Sequence, residues 1–414
     1  MDSHDVPASI AASIGPAARA ASPEQAVPAI DPFAFAAPPV LLNPAPGSIS
    51  VIVLPNALAT GWVEYGTTDA LGQRCDGARH GQLPLSDRLL AFRLTNLKPG
   101  ERYFYRVHLK PISYTTAYSI KLGEEIRSDI HAFRTLNANA QSATFTVWND
   151  THEHAPTLKQ LAANLTASPT DFLLWNGDIT NNVTDGSKII PQLFAPVDLP
   201  FAADVPLFLS RGNHDVRGRD ARLLAQYITG PSGEHYYAFR HGPLAAIVLD
   251  AGEDKPDDLP VYAGLNSFDA YRTLQRSFLQ KATADPAFTS APFRVLFVHV
   301  PLFWDAPILP HWPGVWGNDL NGKLINGWIS EDARNKWHDL LVKGKIDLVI
   351  SGHAHKASYF PPNDHHPYGQ LIGGGSDPAE ARSIVGLVTA TEMKILVNDL
   401  AGHSVIQQSF KRQD

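Results

Sequence analysis

The chain has 414 residues, 44% of them hydrophobic and 18% charged, with a formal net charge of -7 and a single cysteine, Cys75. That length allows two domains and the composition is that of an ordinary soluble globular protein; the acidic balance argues against a nucleic-acid-coating surface or a polybasic membrane patch, so neither a stable nucleic-acid partner nor a membrane span is expected. One cysteine excludes an intramolecular disulfide and a multi-thiolate metal site.

Residues 1–37, rich in Ala, Pro and Ser, lack a basic segment followed by a long apolar one and read as a flexible leader. From 38 to 137 short apolar runs alternate with Gly, Pro, Asn and Asp breakers: Ile49–Pro55, Ala59–Tyr65, Leu89–Leu94, Tyr103–Leu109 and His131–Thr135. No helical period intervenes, which predicts a small all-β sandwich over 38–137. Trp62, Tyr103 and Tyr105 are expected to pack its core and strand faces. From 142 to 412 the pattern changes. Strand-like runs at Thr144–Trp148, Phe172–Trp175, Leu207–Ser210, Ala245–Leu249, Val295–Val298 and Leu348–Ser351 alternate with helical runs at Pro156–Leu165, Asp220–Ile228, Tyr271–Ala282 and Asp332–Val342. This predicts an α/β domain. Ser330 is the expected N-cap of the last helix, and Gly344 stands just past its end. Ile384–Thr391, Met393–Val397 and Ser404–Phe410 read as further, antiparallel strands.

Five short polar motifs each follow an apolar, strand-like run: WNDTHEH, WNGDIT, RGNHD, FVHVP and SGHAHK. They offer Asp150, His152, Asp178, Asn213, His214, His299, His353 and His355. All three residue types can bind a metal, and a hydrophobic core has no use for so many of them. Taken singly, Asp150-x-His152 reads equally as a loop pair, and Gly177-Asp178 as a turn. Two imidazoles at His353-x-His355, after a glycine and at a strand exit, favour a metal. In open α/β sheets, sites gather beyond the carboxyl ends of strands, and all five motifs are expected on that rim.

In this order, DTH, GD, GNHD, VH and GHAH resemble the signature of calcineurin-like metallophosphoesterases over about residues 142–412. The resemblance implies an α/β fold, a two-sheet α/β/β/α sandwich, here preceded by the small all-β sandwich. It also implies a dinuclear centre. Asp150, His152 and His355 would hold one metal, Asn213, His299 and His353 the other, and Asp178 would bridge both. With N and O donors and no sulfur, the two ions are expected to be divalent or mixed-valence Fe, Mn or Zn. His214 would face the substrate as an acid, with Asp215 either orienting its imidazole or only capping the loop. The expected reaction is in-line attack on a small phosphoester by metal-bound hydroxide.

The stretch LTNLKPGERYFYRV, with Trp62 upstream, resembles a fibronectin type III module, and a module of this kind before the metal domain resembles the purple acid phosphatases. That subgroup has glycine at the position of His152 and tyrosine at the position of Asn181, so the iron–tyrosinate chromophore is not expected. Sandwich-plus-phosphatase proteins are often exported, which suggests a periplasmic or secreted protein. The aromatic stretch Pro301–Trp316, with Phe303, Trp304, His311, Trp312 and Trp316, either lines the substrate pocket or packs on the sandwich. It tilts the expectation toward phosphodiesters. His154, Arg211 and Arg217 flank the motifs and can reach phosphate oxygens, although each also reads as a supporting or surface residue. His365 and His366 are expected to be exposed. Two other readings stay open: a phosphomonoesterase of the acid-phosphatase kind, and a non-catalytic surface-binding protein with a degenerate metal domain. The second has to accommodate a motif set in which no expected ligand is missing.

Overall fold

The computed structural model describes residues 32–167, 169–196, 200–226, 229–303 and 328–412. Nine strands come first: β1 (Val40–Ala45), β2 (Ser48–Val53), β3 (Ala59–Gly66), β4 (Gln73–Cys75), β5 (Leu90–Leu94), β6 (Arg102–Thr116), β7 (Ser119–Leu122), β8 (Ile126–Arg127) and β9 (His131–Arg134). The α/β region follows with β10 (Ser142–Trp148), α1 (Ala155–Thr166), β11 (Phe172–Asn176), α2 (Gly186–Phe194), β12 (Leu207–Ser210), β13 (Tyr237–His241) and β14 (Leu244–Leu249). It continues through α3 (Phe268–Ala284), α4 (Pro286–Thr289), β15 (Phe293–Val298), α5 (Trp328–Lys343), β16 (Leu348–Ser351), β17 (Ser358–Phe360) and β18 (Gly369–Ile372). The chain closes on β19 (Ser383–Thr389), β20 (Glu392–Asn398) and β21 (Ser404–Lys411).

Two sheets make the α/β region. One has nine strands in the order β21-β20-β19-β10-β11-β12-β1-β2-β5, the other six in the order β13-β14-β15-β16-β18-β17. Strands β10, β11 and β12 run parallel, as do β14, β15, β16 and β18. Every residue of β11, β12, β14 and β16 is buried, as expected for parallel strands covered on both faces. Side-chain alternation sorts three layers of core. Phe145, Val147, Leu174 and Phe208 meet Val248, Val295, Phe297 and Ile350 between the sheets. On the outer face of the first sheet, Trp148, Leu173 and Trp175 pack on Leu158 and Leu161 of α1 and Ile189 and Leu193 of α2. On the outer face of the second, Ile247, Leu296 and Val349 pack on Leu279 of α3 and Trp337 and Leu341 of α5. The result is an α/β/β/α sandwich.

The N-terminal strands form a β module whose two faces, β1-β2-β5 and β4-β3-β6-β9, close over Leu41, Val51 and Phe92 on one side and Val63, Tyr105 and Phe133 on the other. The first of these faces is not a separate sheet. Leu42 of β1 pairs in parallel with Leu207 of β12, and Val40, Leu42 and Ile52 belong to the outer core of the nine-stranded sheet. Strand β1 therefore has a core on each side. Trp62 lies on a strand face, stacked on His108 at 4.8 Å and under Arg74 at 4.2 Å.

Several expectations are corrected. Of the leader expected over 1–37, residues 1–31 lie outside the described residues, and the rest joins the module: Phe33 and Phe35 pack against its core and Ala36 N–H donates to Leu54 O at 2.7 Å. Ser330 is not an N-cap: α5 already includes Trp328, and the Ser330 hydroxyl donates to Pro301 O at 2.5 Å. Gly344 does follow the helix, its N–H donating to Leu340 O. The expected helix at Asp220–Ile228 is a 3-10 turn over Ala221–Gln226. Among the described residues no helix is long and apolar enough to cross a membrane.

Candidate metal centre

The five motifs end β10, β11, β12, β15 and β16, so they converge on the carboxyl rim of both sheets. The loops are laced together. Asp150 N–H donates to Gly177 O, His152 N–H to Asp178 O, and Gly352 N–H to His299 O. Side chains join the lacing: Asp178 Oδ1 accepts from His214 N–H at 2.8 Å, and Asp150 Oδ2 accepts from His353 N–H at 2.8 Å. Asp150, His152, Asp178, His353 and His355 all have φ between 45° and 70°. For residues with a Cβ this left-handed backbone costs about 1–3 kcal/mol each, and it persists only where surrounding bonds enforce it. Two glycines make the approach possible. A Cβ on Gly212 would lie 2.2 Å from Asp178 Oδ1, and one on Gly352 would lie 2.2 Å from Asp150 Oδ2.

Donor atoms of Asp150, His152, Asp178 and His355 lie within 4.8 Å of one another, as do those of Asp178, His299 and His353. Asp178 is common to both groups. Asn213 Oδ1 is 2.8 Å from His353 Nδ1. The rim thus brings together all seven residues expected as ligands. The second group is wholly buried, while His152 and His355 of the first are partly exposed, and a cavity of about 240 Å³ opens over them.

The site's electrostatics fit cations. His299 Nδ1–H donates to Asn176 O at 2.8 Å, which turns Nε2 toward Asp178 Oδ2 at 3.2 Å and Asp150 Oδ1 at 3.8 Å. Burial alone would lower the His299 pKa, but Asp178 and Asp150 outweigh it and push it up to about 10. Two buried carboxylates demand positive charge at that point, and a metal ion would supply it. The Nε2 atoms of His152 and His355 lie 3.0 Å apart, with His355 Nε2 3.3 Å from Asp150 Oδ1. Burial holds His152 and His353 below their ordinary values, in the neutral form that ligates.

His214 lines the same cavity. Its Nδ1 lies 2.8 Å from Asn181 O, which can only accept, so Nδ1 carries the proton and Nε2 accepts from Arg217 Nη1 at 3.0 Å. Asp215 does not orient this imidazole; of its two expected roles, it takes the loop-capping one. Its buried carboxylate accepts from Gly212 N–H at 2.8 Å, Thr180 N–H at 2.9 Å, Thr180 Oγ1 at 3.0 Å and Ile179 N–H at 3.4 Å. Three backbone donors of two tight loops need an acceptor there, and that need decides where Asp215 points. Burial and the nearby Asp178 push its pKa up to about 6.

His366 is also corrected: it is 3% exposed, with Nδ1 2.7 Å from Tyr368 O. It borders a larger cavity, about 870 Å³, whose lining includes Arg276, Phe303 and Arg334 and none of the motif residues. The aromatic stretch expected near the substrate lies outside the described residues from Trp304 to Trp316. Sequence reasoning passed over Asn149 and Asn176. Asn149 Nδ2 donates to Asp150 Oδ2 at 2.6 Å, and Asn176 supplies the carbonyl that orients His299. The repeated Trp-Asn before both motifs, at 148–149 and 175–176, is the signal that could have found them.

Comparison with known proteins agrees with this geometry. The family model for calcineurin-like phosphoesterase matches residues 143–357, just over half of the chain. A purple acid phosphatase, PPD1, from yellow lupin (Lupinus luteus) seeds superposes with a TM-score of 0.64 at 15% identity, covering 91% of this chain and 74% of that one. PhoD superposes with a TM-score of 0.60 at 12% identity, covering 91% and 90%. At these identities the likeness is one of fold. No curated protein matches the sequence.

Proposed function

The chain belongs to the calcineurin-like phosphoesterase family, and on that footing we propose that it hydrolyses phosphoric esters, with a preference for phosphodiesters, using two metal ions. Asp150, His152 and His355 would hold one ion, Asn213, His299 and His353 the other, and Asp178 both. The observation that carries this reading is the pair of donor groups with Asp178 in common. When bound, the two ions would supply positive charge to the phosphoryl oxygens and acidify a water. The donor set of imidazole, carboxylate and amide oxygen suits Fe, Mn or Zn. Asn181 stands where a chromophoric tyrosine would be needed, so pure protein should show no visible charge-transfer band.

The chain's own groups do the rest. His214 is held by Asn181 O through Nδ1, which leaves Nε2 as the nitrogen that can carry a proton to the leaving oxygen. Among the described residues, Arg217 is the only Arg or Lys that lines the cavity, and Glu253 and Asp254 oppose its charge. With its charge opposed, Arg217 adds little net positive charge for the second charge of a dianionic monoester, whereas a monoanionic diester asks for less. This supports the diester preference. Export to the periplasm or outside the cell belongs to the same proposal.

Hydrolysis of a chromogenic phosphodiester and of the matching monoester, with and without chelator, tests it. Chelator-sensitive turnover with the larger kcat/KM on the diester is expected. A larger kcat/KM on the monoester would move the reading to a phosphomonoesterase. No chelator-sensitive turnover of either would overturn it.

A further inference from the structure

Three cationic or imidazole side chains flank the motifs, and the structure separates them. His154 is the N-cap of α1, with Nδ1 2.9 Å from Thr157 Oγ1. Arg211 turns away to the buried Asp250, Nη2 to Oδ2 at 2.6 Å, and borders a different hollow beside Tyr271. Arg217 lines the cavity that also holds Asp178, Asn213, His353 and His355.

Arg217 is fixed on one side only. Nε donates to Glu253 Oε2 at 2.9 Å and Nη2 to Glu253 Oε1 at 2.8 Å, a two-pronged pair; Nη2 also reaches Asp254 Oδ1 at 2.8 Å. The side chains of both acids are almost fully buried, at 1% and 5% exposure, while that of Arg217 is 23% exposed. Lys255 meets Asp254 at 2.6 Å. Burying two carboxylates is costly unless they are paired, and breaking such a pair is costlier still. The arrangement therefore locks the guanidinium plane and leaves its Nη1 edge in the cavity, where the partner is His214 Nε2 at 3.0 Å. The Arg217 side chain shares the cavity with Asp178, Asn213, His353 and His355 as well as with His214. Fixed in advance, it gives up little conformational freedom when an oxygen anion arrives.

We propose that Arg217 contacts the substrate: its Nη1 edge donates to a non-bridging phosphoryl oxygen of the ester bound over the metal centre, and Glu253 and Asp254 are the positioning residues that aim it. The proposal rests on the phosphoesterase reading above. It makes the His214–Arg217 hydrogen bond the resting partner of both groups. Substrate takes over the Nη1 donor, and the freed Nε2 of His214 can take up a proton from solvent and pass it to the leaving oxygen. It also assigns a role to the 253–255 loop, which no motif marks.

The test compares wild type with Arg217→Ala, Arg217→Lys and Glu253→Gln, each carrying its metals. Two quantities are read: the KM–kcat split on the chromogenic diester, and the Kd of inorganic phosphate by calorimetry. Loss of a charge-assisted donor made in both bound and transition states should raise KM by roughly 10–100-fold in Arg217→Ala, with the phosphate Kd weakened in proportion. Arg217→Lys keeps the charge but cannot keep the two-pronged geometry, so it should weaken phosphate binding by a smaller factor, as should Glu253→Gln. If Arg217→Ala does not fold, Arg217→Lys decides. An unchanged phosphate Kd in the folded, metal-loaded variant overturns the proposal. Failure of the functional reading would appear separately, as wild-type protein without chelator-sensitive turnover, and the phosphate measurement would still decide the role of Arg217.

Discussion

In the N-terminal β module, left-handed backbone falls at Asn43, Leu71, His80 and Asn96, none of them buried; on the rim of the two sheets it falls at Asp150, Asp178 and His353, which are buried, and at His152, Glu153 and His355, which are half-buried. In the first region the conformation turns the chain at the surface and costs little to solvate. In the second it aims carboxylates and imidazoles at one another, against both sterics and charge. The module is held by aromatic packing, with Phe92, Tyr105 and Phe133 in one core. The rim is held by hydrogen bonds between loops whose side chains repel or await a cation. Stability and function should therefore respond to different substitutions.

Asp178→Asn should have the largest effect. It removes the carboxylate common to both donor groups, and metal affinity should fall by more than the ~10–100-fold that loss of a mere supporting partner costs. In the metal-free rim Asp178 also accepts from His214 N–H, and, against the cost of burial, His299 holds its carboxyl well below the ordinary carboxylate range. The metal-free variant should therefore melt somewhat below metal-free wild type, a smaller effect than its loss of metal. A lower melting temperature with metal content intact would erase the contrast between the two regions.

Phe92→Ala is the converse. Its ring is fully buried in the module core, and its loss should cost about 3–5 kcal/mol in urea unfolding. Metal content and KM of the folded protein should be unchanged. A shift in KM would mean that the pairing of β1 with β12 transmits strain to the rim.

Asp215→Asn sharpens the boundary between supporting and reacting groups. As the acceptor for three backbone donors and one hydroxyl, Asp215 should contribute about 1–3 kcal/mol of stability. Turnover should stay within a few-fold. A loss in kcat much larger than the loss in stability would restore it as the orienting partner of His214.

Much of this was legible beforehand, for physical reasons. Strands β11, β12, β15 and β16 carry short, nearly continuous apolar runs because both faces are covered, β10 alternates Thr with apolar residues, and each motif follows one of these strands. What escaped was non-local or masked by local rules. Strand β1 contains Asn43 and Pro44, which read as breakers, and α2 contains Pro191. The pair His365-His366 reads as polar surface, yet the Asn363–His366 bridge and Tyr368 enclose the second imidazole. Asp215 sits next to His214 in sequence but points at the backbone of another loop. Arg217 and Glu253 are neighbours only through the fold.

The central proposal is that one rim would hold two ions, with Asp178 a ligand to both. The most direct test is to titrate metal-depleted protein with Mn2+ or Zn2+ while following hydrolysis of the chromogenic diester. Activity should rise until two ions are bound per chain and then stay constant. Full activity at one ion per chain, or in the metal-free protein, would contradict the account.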